Sequence, residues 1–217
     1  MAKPKIRHKK QTTIQLLLTT LEAALVTFKT SQVFKDRYHD GIGEDDLTSA
    51  LRFHLDGECS NKGLSFAFET QSPQGNRRSS DIAVQLKGTN GDYIFFIEAK
   101  WTNAPDYVYS NTGAIKRFKN LDHGINNTNP NYPYKYVKES AVIGYHELKQ
   151  NFQTTQKKIN SKIQSLLPPT ICEFGLTWDN TELLQSIKQG NFDSHISNHT
   201  RKDGSIITLY HLWIKIK

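Results

Sequence analysis

Two carboxylates and one ammonium group stand at the apolar ends of two strand-like segments. Asp81 is the first residue of the segment 81–87. Glu98 lies near the end of the segment 93–99, and Lys100 follows that segment directly. An isolated buried charge is unfavourable, so charged groups in such positions are usually paired, solvated or bound to a metal ion. The chemistry open to these three side chains depends on whether the fold brings them together.

A turn between the two segments would bring the three charges together. Residues 87–92, KGTNGD, contain the Asn-Gly signal of a tight turn. A turn centred between residues 89 and 90 sets Asp81 opposite Glu98, and such cross-strand partners have Cβ atoms about 4.5–5.5 Å apart. Lys100 is two residues beyond Glu98 and points to the same face. The spacing predicts convergence at one end of a hairpin, although a one-residue bulge would shift the register.

Two carboxylates side by side repel each other unless a positive charge lies between them. A hard divalent cation such as Mg²⁺ is commonly held by one or two carboxylates together with water and phosphate oxygens. A nearby lysine can orient a metal-bound water, help to deprotonate it, or stabilise developing negative charge. The set Asp81, Glu98 and Lys100 is thus suited to hydrolysing a phosphodiester. The alternative is structural, with Lys100 bridging the two carboxylates as an ion pair, and the sequence leaves both open.

A third acid can join this group from a predicted helix at residues 44–56. Glu44 precedes Leu47 by three residues and Leu51 by seven, which places it on the apolar stripe of that helix. An inward carboxylate there would supply a further metal ligand. The alternative is that Glu44 and the two aspartates after it only stabilise the helix N-terminus.

The pattern along the chain predicts an α/β fold, with a central mixed β-sheet flanked by helices on both sides. Apolar periodicity and capping residues predict helices at 12–29, 44–56, 112–121 and 146–167. Strand-like runs occur at 63–71, 81–87, 93–99, 140–145, 173–178 and 205–216, and residues 194–204 are predicted to be a polar connection.

Composition predicts one domain of a water-soluble protein. The chain has 217 residues, of which 36% are hydrophobic, and it contains no apolar run of the roughly 20 residues that span a bilayer. The two cysteines, Cys59 and Cys172, fit no metal or redox spacing, so a reducing cytoplasmic location and no membrane association are expected.

The net charge of +7 is concentrated at the N-terminus, where the first ten residues contain five of the lysines and arginines. We therefore predict a basic N-terminal tail at residues 1–11 and a single domain at residues 12–217. Such a tail can bind nucleic acid nonspecifically through phosphate contacts, or it can act only as a solubilising end.

The motif residues resemble the PD-(D/E)xK nuclease superfamily, whose fold is that of the restriction endonucleases. The resemblance rests on Glu44 in an early helix, Asp81 at the start of one hairpin strand, and the Glu-Ala-Lys run 98–100 on the next. It covers roughly residues 44–101, and Ser-Ser-Asp replaces the Pro-Asp of the superfamily pattern at Asp81. The Glu-x-Lys run is weak alone and gains strength from the hairpin and the upstream acid.

This resemblance implies a metal-dependent nuclease with a restriction-endonuclease-like core that hydrolyses DNA with Mg²⁺ or Mn²⁺. It implies that Asp81, Glu98 and the backbone carbonyl of Ala99 bind the metal, and that Lys100 positions the nucleophilic water. Glu44 would be a further ligand or would hold a metal-bound water. A role in restriction or defence, or in DNA repair, follows from the same resemblance. The alternative is a nucleic-acid-binding protein that keeps the nuclease fold without catalysis.

Basic residues near the predicted site could contact the nucleic acid. They are Arg77, Arg78, Lys116, Arg117 and Lys119, for which a solvated loop or helix face is the alternative interpretation. The chain lacks a Gly-rich phosphate loop, so no nucleotide cofactor is expected. A homodimer would supply two sites for cutting both strands of DNA, although the sequence shows no interface.

Overall fold

Helices and strands succeed one another throughout the part of the chain that the computed structural model describes, namely residues 4–67, 81–86, 93–123, 136–146, 151–170, 172, 175–189 and 192–216. The helices are α1 (Pro4–Phe28), α2 (Gln32–Arg37), α3 (Glu44–Cys59), α4 (Ala104–Val108), α5 (Ala114–Lys119) and α6 (Phe152–Gln164). The strands are β1 (Leu64–Ala67), β2 (Ile82–Leu86), β3 (Tyr93–Trp101), β4 (Glu139–His146), β5 (Gln185–Gln189), β6 (Phe192–Thr200) and β7 (Ile206–Lys215).

The strands form one seven-stranded sheet in the order β1-β2-β3-β4-β7-β6-β5. The central strands β3, β4 and β7 run parallel, and the remaining pairs are antiparallel. Parallel strands are normally covered on both faces, which agrees with the nearly continuous burial of β3 and β4. The predicted α/β class with a mixed sheet flanked by helices is confirmed.

Two hydrophobic cores lie on opposite faces of the sheet. The first joins α1, α2 and α3 to one face and includes Leu21, Leu51 and Ile97. The second joins α4, α5 and α6 to the other face and includes Phe96 and Phe118. Because neighbouring side chains of a strand alternate between faces, Glu98 and Lys100 share the face of Phe96.

The hairpin register agrees with the prediction along most of β2. Ala83 pairs with Phe96 as expected, and Ile82 pairs with Ile97. A bulge between Val84 and Gln85 shifts the register at the other end of the strand, away from Asp81. The connecting residues 87–92 lie outside the described part of the chain.

The prediction of a polar connection at residues 194–204 is wrong over most of its length. This segment contains most of β6, which pairs with both β5 and β7, and neither β5 nor β6 was predicted. Conversely, the predicted strand at 173–178 does not form over its described residues. The alternation signal fails in β6 because its buried positions hold Ser194, His195, Ser197 and His199 in place of aliphatic residues.

Helix boundaries also differ from the predicted ones. Helix α1 already begins at Pro4, so most of the predicted tail is helical. Helix α6 begins only at Phe152, where the side chain of Asn151 accepts a hydrogen bond from the amide of Thr154. The short helices α2 and α4 were not predicted. Among the described residues, no helix has the length and apolar character needed to cross a membrane.

Candidate functional site at the end of the central strand

Glu98 occupies the centre of a charged cluster where β3 ends. Its side chain is fully buried, and Lys100 on the same face of β3 is only 7% exposed. Arg117 of α5 donates a hydrogen bond to Oε1 of Glu98, and Lys100 Nζ lies 3.6 Å from the same oxygen. Two cations therefore compensate one carboxylate oxygen, as burial of a charge requires.

Glu44 reaches this cluster from the first turn of α3. Its Oε1 accepts a hydrogen bond from Lys100 Nζ at 2.5 Å, and its Oε2 accepts one from the backbone amide of Trp101 at 3.1 Å. Lys100 thus bridges Glu44 and Glu98, whereas the structural alternative considered from sequence had it bridge Asp81 and Glu98.

Asp81 approaches the cluster from the residue just before β2. Its Oδ2 accepts a hydrogen bond from the backbone amide of Ala99 at 2.7 Å. That bond fixes the carboxylate against the backbone between Glu98 and Lys100. The carbonyl of Ala99 as a metal ligand remains a prediction.

The cluster contains three acids and two cations, and burial is the largest influence on the pKa values of Asp81, Glu98 and Lys100. Burial, followed by the negative charge of Glu98, raises the pKa of Asp81 to about 8. Burial also raises the pKa of Glu98, although Arg117 and Lys100 oppose this. Burial alone would lower the pKa of Lys100, but Glu98, Glu44 and Asp81 together raise it. Lys100 is therefore a charged ammonium group that donates hydrogen bonds.

The basic residues of α5 lie in three different environments. Arg117 points to Glu98 and belongs to the site. Lys116 is buried, with its Nζ 4.7 Å from the centre of the Tyr109 ring. Lys119 is completely buried and pairs with Glu182 at 2.5 Å, so it is not placed to contact a nucleic acid. Arg77 and Arg78 lie outside the described residues.

His123 belongs to the site but was not singled out from the sequence. It follows α5, is 1% exposed, and brings its Nε2 to 3.4 Å from Oε2 of Glu98. Within the described residues, neither ring nitrogen has a hydrogen-bond partner, and Oε2 of Glu98 has none either. A lone histidine outside any motif carries no signal of this proximity, because the chain must fold before α5 meets β3.

The residues of the cluster fit a divalent cation that binds through few protein ligands. Over the described ranges, no group of three or more His, Cys, Asp or Glu side chains is arranged to hold a metal ion. Mg²⁺, however, usually keeps several waters and needs only one or two carboxylates. Within the described residues, Oε2 of Glu98 is a buried oxygen without a donor, and burial, followed by the negative charge of Glu98, is what raises the pKa of the nearby Asp81.

Comparison with known proteins identifies no relative. No protein-family model, no curated protein and no solved structure matches this chain. Membership of the PD-(D/E)xK superfamily and a restriction-endonuclease-like core therefore remain predictions from the motif. The functional argument rests on the cluster itself.

Proposed function

We propose that this protein is a metal-dependent nuclease that hydrolyses phosphodiester bonds in DNA, with its active site at the end of β3. The observation that carries the proposal is the meeting of Glu44, Asp81, Glu98 and Lys100, from three separate elements, around a buried carboxylate. The sequence resemblance favours DNA as the substrate and a role in restriction, defence or repair.

Each residue has a role that follows from its contacts. Asp81 and Glu98 would hold Mg²⁺ or Mn²⁺, which when bound lowers the pKa of water and offsets charge on the phosphate. Lys100 is anchored by Glu44 at 2.5 Å and would orient the attacking water as a hydrogen-bond donor. Arg117 adds a second positive charge, suited to the phosphate. The water oxygen would lose a proton to solvent and form a bond to phosphorus, while the bond from phosphorus to the leaving oxygen would break and that oxygen would take up a proton from solvent.

The proposal is tested by cleavage of supercoiled and linear DNA with Mg²⁺, with Mn²⁺ and with EDTA. Asp81→Asn removes the carboxylate that would hold the metal but keeps an oxygen that can accept from the amide of Ala99. We expect metal-dependent cleavage that this variant lowers about 100-fold or more, because several kcal/mol of charge stabilisation are lost.

A matched control separates chemistry from stability. Glu182 is another buried carboxylate, paired with Lys119 at 2.5 Å outside the site. Glu182→Gln should therefore lower stability without abolishing cleavage. Equal loss of cleavage in both variants would mean that Asp81 acts only through the fold.

The lysine bridge favours a second reading, in which the cluster is a structural ion-pair network. Lys100 contacts both Glu44 and Glu98, as such a network requires. A protein that neither binds nor cuts DNA would support this interpretation. A nucleic-acid-binding protein without catalysis would instead bind DNA equally in Mg²⁺ and in EDTA and never cut it.

A further inference from the structure

Two buried polar groups that have no hydrogen-bond partner among the described residues face each other beside the proposed active site. They are His123 and Oε2 of Glu98, whose nearest atoms are 3.4 Å apart. Leaving a buried polar group unsatisfied costs about 1–3 kcal/mol, and more if the group is charged. Two such groups in contact indicate that an atom which both can bind belongs between them.

The separation of the two atoms favours a cation over a bridging water. A water that hydrogen-bonds two acceptors at about 2.8 Å and a near-tetrahedral angle holds them about 4.5 Å apart. Two ligands at about 2.1 Å from one metal ion at that angle lie about 3.4 Å apart. The observed distance of 3.4 Å matches the second arrangement.

The backbone before His123 maintains this position in spite of strain. Leu121 adopts a φ of 63°, which is a left-handed conformation that costs a residue with a branched side chain about 1–2 kcal/mol. The amide of Asp122 then donates to the carbonyl of Arg117 at 2.9 Å. This tight reversal after α5 returns the chain to β3 and directs His123 to Glu98, while the ring packs against Phe118.

The two oxygens of Glu98 therefore have separate partners. Oε1 receives Arg117 and Lys100, whereas Oε2 faces His123. A cation could therefore bind to Oε2 while Arg117 and Lys100 keep their contacts with Oε1. Since no larger group of ligand side chains is present in the described residues, water or the phosphate would fill the other positions.

We infer that His123 is a nitrogen ligand which, with Oε2 of Glu98, makes this a site for a first-row transition-metal ion in preference to Mg²⁺. Imidazole suits metals such as Fe²⁺ and Ni²⁺, between which Co²⁺ lies in the order of affinity, while Mg²⁺ prefers oxygen ligands. The inference deepens the proposed function and rests on it only in placing a cation at Glu98.

The experiment titrates the full-length protein with Co²⁺ and follows the visible absorption of the bound ion, with Mg²⁺ as competitor. His123→Gln replaces the nitrogen ligand by an amide whose oxygen suits Mg²⁺. We expect the Co²⁺ affinity of this variant to be lower by about tenfold or more. Loss of a residue that only supports a ligand already lowers metal affinity by about that factor, and loss of the ligand itself should lower it further. The Mg²⁺ affinity should stay within about threefold. His39→Gln, at an exposed position, is the matched control and should change neither affinity.

Several outcomes would overturn the inference. These are no Co²⁺ binding by the wild type, unchanged Co²⁺ affinity in His123→Gln, and an equal fall of both affinities, which would indicate a packing role. Pulsed electron paramagnetic resonance of the wild type with Cu²⁺, another ion that imidazole suits, needs no variant and should detect coupling to an imidazole nitrogen. Absence of that coupling would count against His123 even if His123→Gln failed to fold.

The same samples separate this inference from the proposed function. Co²⁺ binding that depends on His123, without any DNA cleavage, would support the metal site and contradict the nuclease proposal. Cleavage with Mg²⁺, together with Co²⁺ binding that does not depend on His123, would support the nuclease proposal and contradict the metal site.

Discussion

At the scale of single residues, the main feature is the asymmetric environment of Glu98. A fully buried carboxylate is tolerated when donors satisfy its oxygens. Arg117 and Lys100 satisfy Oε1, but no described residue donates to Oε2. One residue therefore combines an ion pair with an oxygen that has no donor among the described residues.

Removal of Lys100 tests both aspects of Glu98. Lys100→Met leaves Glu44 and Glu98 without their shared cation, so the free energy of unfolding in EDTA should fall. Breaking a buried pair costs about 3–5 kcal/mol. Because the Glu44 side chain is 25% exposed, we expect a smaller loss of stability, of about 1–3 kcal/mol. Urea denaturation followed by circular dichroism measures this change.

The same variant should respond to metal. If a cation binds at Glu98 and Asp81, millimolar Mn²⁺ should restore part of the lost stability by neutralising the carboxylates and by binding the folded state. The Glu182→Gln variant should show no preferential recovery. A loss in Lys100→Met that Mn²⁺ leaves untouched would favour the purely structural ion pair.

At the scale of secondary-structure elements, a buried polar chain joins α4 to β6 and β7. Tyr107 OH accepts from Trp213 Nε1 at 3.0 Å and lies 2.7 Å from Nδ1 of His211. Ser197 Oγ lies 2.7 Å from Nε2 of both His211 and His199. This chain supplies partners for the polar side chains that make β6 unrecognisable as a strand in the sequence.

If both histidines are neutral, the hydrogen bonds of this buried polar chain can all be donated in only one direction. Tyr107 donates to Nδ1 of His211, whose Nε2 then donates to Ser197. Ser197 donates to Nε2 of His199, and Nδ1 of His199 donates to Oε2 of Glu182, 3.1 Å away. Burial lowers the pKa of His199 and of His211, which agrees with neutral rings.

The stability that these two histidines contribute should consequently fall as the pH decreases from about 7 to about 5, whereas the raised pKa values of Asp81 and Glu98 act in the opposite direction. The folded-state pKa of each histidine lies below its unfolded value of about 6.5, so the unfolded chain takes up protons first and acid favours unfolding. The measurement is the free energy of unfolding across this range.

A variant isolates the part of this pH dependence that comes from the buried chain. His211→Gln is less stable overall because it disturbs the hydrogen bonds, but its stability should depend less on pH than that of the wild type. His39→Gln, in solvent, should keep the wild-type dependence. Equal slopes in His211→Gln and wild type would show that His211 does not remain neutral.

At the scale of the whole molecule, positive charge is concentrated at the start of the chain, where α1 begins at Pro4. Among the residues whose burial the structure describes, those that anchor α1 in the first core include Ile14, Leu17 and Leu21. The basic residues before them are thus separate in sequence from the anchoring face. They are positioned in the sequence where a basic segment could supply the phosphate contacts of the proposed DNA binding.

Neutralising this segment tests its contribution to DNA affinity. We expect Lys5→Gln, Lys9→Gln and Lys10→Gln together to reduce the slope of log affinity against log salt by up to about 3, since each phosphate contact contributes about 0.9. Fluorescence anisotropy with duplex DNA in EDTA measures binding without cleavage.

Three exposed lysines elsewhere provide the control for this measurement: Lys29, Lys35 and Lys157. Their replacement by Gln changes the net charge equally and should have a smaller effect on the slope. Equal effects of the two triple variants would mean that net charge alone matters and that the N-terminal segment makes no particular contact.

Local patterns in the sequence determined the fold class and much of the site. Alternation and turn residues predicted the pairing of Ala83 with Phe96, and helical periodicity predicted that Glu44 faces inward. These features depend on neighbours a few residues apart, or on one short connection, so they are present in the chain before it folds. The helices and strands that carry strong apolar patterns were predicted for the same reason.

Tertiary structure alone decided which partners complete these elements. Strand β6 lacks an apolar pattern, and it forms because His211 of β7 and Glu182 supply hydrogen bonds to its buried Ser197 and His199. Arg117 reaches Glu98, and Lys119 two residues later reaches Glu182, because successive helical residues point in different directions. His123 likewise meets Glu98 only when α5 packs on the sheet, so contacts between elements distant in the chain, which no local pattern encodes, complete the site.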